Sequence, residues 1–297
     1  MNKRALGNLL LLFTAMIWGT AFVAQRVGMD DIEPFTFNAV RMALAALAVG
    51  VPALLRAKAQ PPTAEEKKDT LLGGLCCGGF LAAASLFQQV GLVYTTAGKA
   101  GFLTAMYILL VPLLGALVLG RREKRRTWFA VALGVAGMYL LCVREGLTLA
   151  KGDALVCVCA VLYAGHILSC DRFSHQSDPI ALSALQFAVT AAVSFILALL
   201  TEQPQLWQLR AAAVPILYCG LISGGLGYTM QMVAQRYTEP TVASLLMSLE
   251  SVFAALSGAL LLHEHMSARE LSGCVILFAA ILLVQLPERK RTRRAGL

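Results

Sequence analysis

Apolar runs of about 20 residues, separated by short clusters of charge, recur along this chain from end to end. A helix rising about 1.5 Å per residue needs a run of that length to cross a hydrocarbon core of roughly 30 Å. At least eight such runs are unambiguous, and they leave little chain for a soluble domain. No water reaches the backbone inside a bilayer, so each polar backbone group must be satisfied within its own segment, which makes the runs helices. Only 14% of the 297 residues are charged, against roughly 25% in a soluble domain.

The expected fold is all-α: a polytopic membrane protein with ten transmembrane helices. The spans read as 6–27, 35–55, 70–93, 98–119, 127–143, 152–172, 179–200, 211–235, 240–262 and 269–286. Lys3 and Arg4 precede the first run as they would in a signal peptide. The run is too long for one, however, and no small-residue cleavage site follows it. Asp178-Pro179 and Glu239-Pro240 each set proline at the first helical position, where its missing N–H costs nothing. Ser267 with Glu270 forms a capping-box pattern for the last helix.

Ten spans put both termini on one side, and basic residues say which. Lys3, Arg4, Arg56, Lys58, Lys67, Lys68, Arg121, Arg122, Lys124, Arg125, Arg126, Arg172, Arg236, Arg289, Lys290, Arg291, Arg293 and Arg294 fall on the side of the termini. Arg26, Lys99, Arg144, Lys151, Arg210 and Arg269 fall on the other. Eighteen against six predicts cytoplasmic termini in a cell-membrane protein. The net charge of +8 therefore reports topology, with no nucleic acid as partner. The basic tail around 288–294 meets anionic lipid headgroups. The eight cysteines lie in or beside apolar runs and form no C-x-x-C, so they read as small hydrophobes.

The early and late halves of the chain match each other. An offset of 145 residues lays Gly7 on Gly152, Trp18 on Tyr163, Pro34 on Pro179 and Arg41 on Gln186. An offset of 143 lays Gln88 on Gln231, Tyr94-Thr95 on Tyr237-Thr238, Ala100 on Ala243 and Gly137 on Ala280. Two units follow, 1–145 and 146–297. Each holds five spans, an odd number, so the second enters the membrane from the opposite side. Such 5+5 inverted repeats are an architecture of secondary transporters.

Three stretches carry a resemblance to the EamA-type transporters of the drug/metabolite transporter superfamily. Ile17-Trp18-Gly19-Thr20-Ala21-Phe22 resembles that family's opening W-G motif. Asn38-Ala39-Val40-Arg41-Met42-Ala43-Leu44-Ala45 resembles its arginine-led helix. Ser248-Leu249-Glu250-Ser251-Val252-Phe253, with Leu262-His263-Glu264, resembles its L-E-P-v-f and g-E patterns. The resemblance spans essentially the whole chain and implies ten helices around a central cavity and export of small metabolites. Ser251 stands where the family carries proline, so this helix is expected to kink less. Arg121 stands where Glu264 keeps a loop acid in the second half.

Polar side chains within spans are costly in hydrocarbon and mark pathways or helix contacts. Glu250 lies about ten residues into the ninth span, and His166 deep in the sixth, with Tyr163 one turn earlier on the same face. Trp18, Gln88, Tyr107, Tyr228 and Gln231 complete the expected substrate-binding set, with Glu250 and His166 as proton-coupling candidates. Glu250 could instead pair with Arg41 or His166 as a structural lock. Arg41 is placed nearer the outer surface, orienting its helix or meeting a headgroup. His263-Glu264-His265 lacks the H-E-x-x-H spacing, and no phosphate-binding loop appears, so neither a metal nor another cofactor is expected.

The leading reading is an exporter of an amino acid or related metabolite working by alternating access. An intramembrane enzyme using Glu250, His166 and Tyr163, or a non-transporting receptor or scaffold, are the alternatives. The small-molecule substrate and membrane lipids are the partners expected. A homodimer is left open.

Overall fold

A computed structural model describes residues 2–95, 97–142, 151–261 and 267–285. The described residues are helical, with no strand among them. In order they form α1 (Lys3–Gly28), α2 (Pro34–Ala59), α3 (Ala64–Tyr94), α4 (Ala97–Ala105), α5 (Tyr107–Leu119), α6 (Arg125–Cys142), α7 (Lys151–Ser174) and α8 (Pro179–Thr201). Then follow α9 (Leu206–Ala211), α10 (Ala213–Leu217), a π-helical segment (Tyr218–Tyr228), α11 (Thr229–Ala234), α12 (Pro240–Met247), α13 (Glu250–Leu261) and α14 (Ala268–Gln285).

Eight stretches among the described residues are long and apolar enough to span a membrane. Large apolar side chains on their outward faces, such as Leu117, Val118, Leu200 and Val214, are more than 70% exposed. A soluble surface rarely carries contiguous apolar area on this scale, and lipid covers it at no cost. The 18-residue helices α6 and α14, where the fifth and tenth spans were expected, are not among the eight and pack on each other.

Helix ends bear out the expected entry chemistry. Asp178 accepts from Ile180 N and Ala181 N with Pro179 at N1, and Ser267 and Glu270 form a reciprocal capping box. Glu239 makes no such cap. At the start of α2 the cap comes from far away. Glu202, just past α8, accepts from Phe35 N (2.8 Å), Thr36 N (2.7 Å) and Thr36 Oγ1 (2.6 Å). This ties α2 antiparallel to α8, with Arg56 and Asp178 paired at the opposite end.

The helices approach closely at glycine. A Cβ on Gly152 would lie 2.7 Å from Gly91 O and 2.9 Å from Tyr94 Cβ, where α7 crosses α3. A Cβ on Gly7 would lie 3.0 Å from Ala234 O and 3.2 Å from Tyr237 Cβ, where α1 crosses α11. Beside each crossing a threonine hydroxyl donates to a short acid or amide. Thr95 Oγ1 bonds Asp153 Oδ1, and Thr238 Oγ1 bonds Asn8 Oδ1 at 3.2 Å. Asn8 and Asp153 are 145 residues apart and Thr95 and Thr238 are 143 apart, the offsets at which the halves of the sequence match.

Two expected spans are not continuous helices. The chain breaks at Met106, between α4 and α5, and at Ser248–Leu249, between α12 and α13. Met106 N bonds Leu103 O (3.3 Å) and Leu249 N bonds Leu246 O (3.2 Å), tight three-residue steps that again lie 143 apart. Ser251 therefore does not straighten the ninth span as expected. The serines before the break return their hydroxyls to the backbone, Ser244 to Thr241 O and Ser248 to Leu245 O, and such bonding bends a helix without proline. Glu250 is thus the first residue after a break rather than the middle of one helix.

Gly19, next to Trp18, explains why α1 can lie against this break. A Cβ there would lie 2.6 Å from Phe253 Cβ, 2.7 Å from Glu250 O and 2.8 Å from Ala254 N. Backbone atoms cannot turn aside as a rotamer can. Gly19→Val should therefore cost about 1–3 kcal/mol or more. In detergent this should appear as a fall in Tm of several degrees, whereas an unchanged Tm would refute the close crossing.

Candidate functional site

The broken helices bring Tyr107 and Glu250, first residues of α5 and α13, to the centre of the bundle. Their positions differ by 143, so the two breaks present corresponding side chains to each other. Tyr107 donates its hydroxyl to Glu250 Oε1 at 3.0 Å, and both are buried. Neither Arg41 nor His166 takes the part of ion partner to Glu250 that the sequence left open.

Opposite them stands an aromatic wall. Trp18 lies against Tyr228 with ring centroids 4.6 Å apart and donates Nε1–H to Ser223 O at 3.2 Å. That carbonyl is available because the wider π turn shifts the hydrogen-bond ladder, and Gly227 leaves room for the indole. Tyr163 Oη lies 3.2 Å from Tyr228 Oη and 3.4 Å from Gln88 Oε1, and Gln88 Nε2 donates to Thr104 Oγ1 at 3.2 Å. His166 stands edge-on to Tyr228. Its Nε2 shares a hydrogen bond with Gln186 Oε1 at 2.9 Å and has Cys170 Sγ at 3.3 Å. Gln231 donates to Gln235 Oε1 at 3.1 Å, and its own Oε1 is without a partner.

These side chains line one cavity. All eight nominated residues, Trp18, Gln88, Tyr107, Tyr163, His166, Tyr228, Gln231 and Glu250, lie on its wall. It measures about 40 Å³. A water needs roughly 10–15 Å³ on this measure, so there is space for a few waters and not for an organic solute. Binding of such a solute requires the lining helices to part.

Gln25, Arg41, Thr104 and Ser223 share the wall and were not in the expected set. Arg41 corrects the sequence reading: it is 3% exposed within the bundle and cannot meet a headgroup in this conformation. Distance along a span gives depth but says nothing of which neighbours flank a residue. Its presence inside an apolar run was nonetheless a signal.

Chemically the cavity offers aromatic faces, amides, one carboxyl and one guanidinium. Glu250, His166 and Tyr163 are each engaged with other residues rather than arranged as nucleophile and base. Among the described residues, no cluster of three or more His, Cys, Asp or Glu side chains could hold a metal. The His263-Glu264-His265 segment and the basic tail lie outside the described residues. The seven cysteines with described side chains are free, and Cys157 is exposed rather than buried as the sequence suggested.

Against known proteins, the profile of the EamA-like transporter family matches twice, over residues 5–143 and 150–286. An uncharacterized transporter of Archaeoglobus fulgidus is 29% identical, over 96% of this chain and 87% of its own. The uncharacterized transporter YoaV of Bacillus subtilis is 21% identical, over 92% and 94%. A protein of Streptantibioticus cattleyicolor named "Probable terminal-alkyne amino-acid exporter" is 25% identical, over 79% of each chain. A solved crystal structure shares the fold with a TM-score of 0.78, covering 94% of this chain and 96% of its own at 18% identity.

Proposed function

The chain belongs to the EamA-like transporter family, and we propose that it is a secondary transporter exporting an amino acid or related small metabolite by alternating access. The observation that carries this reading is the cavity itself. Two helices interrupted at corresponding positions meet there through Tyr107 and Glu250, and interrupted helices at a repeat interface are where transporters bind solute.

Ten spans in a 5+5 inverted arrangement, with units 1–145 and 146–297, account for the paired features. Gly7 with Ala234 repeats Gly152 with Gly91, Asn8–Thr238 repeats Asp153–Thr95, and the break at Leu249 repeats the break at Met106. The two threonine clasps then sit at opposite membrane faces. With cytoplasmic termini, as the basic residues favour, Asn8–Thr238 faces the cytoplasm and Asp153–Thr95 the exterior. Both clasps are formed and the cavity is contracted, as an occluded intermediate requires. Glu250 and His166 are the groups proposed to exchange protons during the cycle. The printed name of the Streptantibioticus relative favours an amino acid leaving the cell.

The test is counterflow of a radiolabelled panel of amino acids, organic acids and amines in proteoliposomes of the cell-membrane lipid classes. Saturable counterflow of at least one panel member is expected. A folded protein that moves none of them would favour the receptor or scaffold reading. Chemical conversion of a solute without flux would favour an enzyme.

A further inference from the structure

Arg41 is the cation of the cavity wall, and its hydrogen bonding is incomplete. Nε donates to Asn38 Oδ1 at 2.9 Å and Nη1 donates to Gln25 Oε1 at 3.2 Å. Nη2 has no hydrogen-bond partner, although the residue is 3% exposed. Both acceptors are neutral amides, and among the described residues Arg41 forms no ion pair. A buried charge without a counterion is among the most costly arrangements a protein can keep, more so within a membrane.

Packing alone does not require that charge. The corresponding position in the second half is Gln186, on α8, which is fully buried and bonds His166. A neutral amide thus does the structural work in one half, while the other half keeps a guanidinium. Asn38 is itself pinned by donating to Ser85 Oγ (3.0 Å) and Ser194 Oγ (2.8 Å), and Gln25 Oε1 also accepts from Gln89 at 2.9 Å. The guanidinium is therefore held in position on two of its nitrogens with the third left over. A planar fork with a free arm suits an oxyanion, where Arg forms short, charge-assisted hydrogen bonds.

We propose that Arg41 is the anion-recognising residue of this transporter, and that the solute carries an oxyanion group, a carboxylate or a phosphate, which docks on Nη2 when the cavity expands. The proposal rests on the transporter reading for its physiological meaning, but binding can be measured without flux.

The experiment compares thermal shifts of the purified protein with the twenty common amino acids, the C-terminal amide of each, and a set of phosphomonoesters. Counterflow of the same compounds is measured in parallel. Wild-type protein is expected to be stabilised by at least one acid and about tenfold more weakly by its amide. Stabilisation by phosphomonoesters alone would assign the oxyanion as phosphate. Arg41→Gln, which copies the residue of the other half, is expected to weaken binding of the anion about tenfold and to erase the preference over the amide. Arg41→Lys should restore part of it, and the wild-type acid–amide comparison stands even if neither variant folds. Equal response to acids and amides, an unchanged preference in Arg41→Gln, or no response to any anion would overturn the proposal. Anion binding that depends on Arg41 without any flux would uphold it and count against transport instead.

Discussion

Glu250→Gln is expected to abolish the pH dependence of transport while leaving the fold intact. Glutamine has nearly the size of glutamate, and its amide carbonyl can still accept the Tyr107 hydroxyl that lies 3.0 Å from Oε1. Only the titratable group is removed. A carboxyl in the centre of a membrane bundle is kept for a reason, because a charge there costs about 2.5–3.5 kcal/mol on insertion scales. If the reason is proton exchange, the variant should run at one rate from about pH 5 to pH 8 where wild type varies. That rate should lie about tenfold or more below the wild-type optimum, the size set by losing a charged hydrogen-bond acceptor worth about 1.5–3 kcal/mol. Tyr107→Phe, which deletes the hydroxyl donor, separates the two roles: it should slow transport while keeping the pH dependence. Wild-type kinetics in Glu250→Gln across that range would make Glu250 structural and end the proton-coupling idea.

Much of this arrangement can be read in the sequence, and what cannot has identifiable causes. The spans are legible because hydrocarbon thickness fixes their length and composition. The eight nominated side chains share one cavity because polar groups on different helices of an apolar bundle converge where lipid is absent. The helix breaks are less legible. They arise from serine hydroxyls bonding back to the chain and from a three-residue step, without the proline whose absence suggested a straighter helix. The π segment is similar: Gly220, Gly224, Gly225 and Gly227 hint at close contact, but the turn widens only because Trp18 and Thr14 of α1 take up the shifted carbonyls of Ser223 and Gly227. The cap of α2 by Glu202 bridges more than 160 residues, and nothing local announces it. The 143-residue offset that aligned Tyr94 with Tyr237 also aligns Tyr107 with Glu250, but a tyrosine and a glutamate share no identity by which to notice it.

Alternating access requires that one clasp part while the other holds. Fixing either should therefore stop the cycle. Asn8→Cys with Thr238→Cys, and Thr95→Cys with Asp153→Cys, replace each hydroxyl contact by a pair of thiols in a background without the eight native cysteines. The backbones are close enough for a short bridge, since a Cβ on Gly7 would fall 2.5 Å from Thr238 Oγ1 and one on Gly152 2.8 Å from the Tyr94 carbonyl carbon. The decisive measurement is counterflow through each bridged protein before and after reduction, with the side of each pair assigned by a membrane-impermeant thiol reagent. Flux should fall to background with either bridge and return on reduction, with the 95/153 pair labelled from outside and the 8/238 pair only from the cytoplasmic face. Undiminished flux through a protein with either bridge fully formed, or labelling of both pairs from one side, would contradict alternating access between two inverted halves.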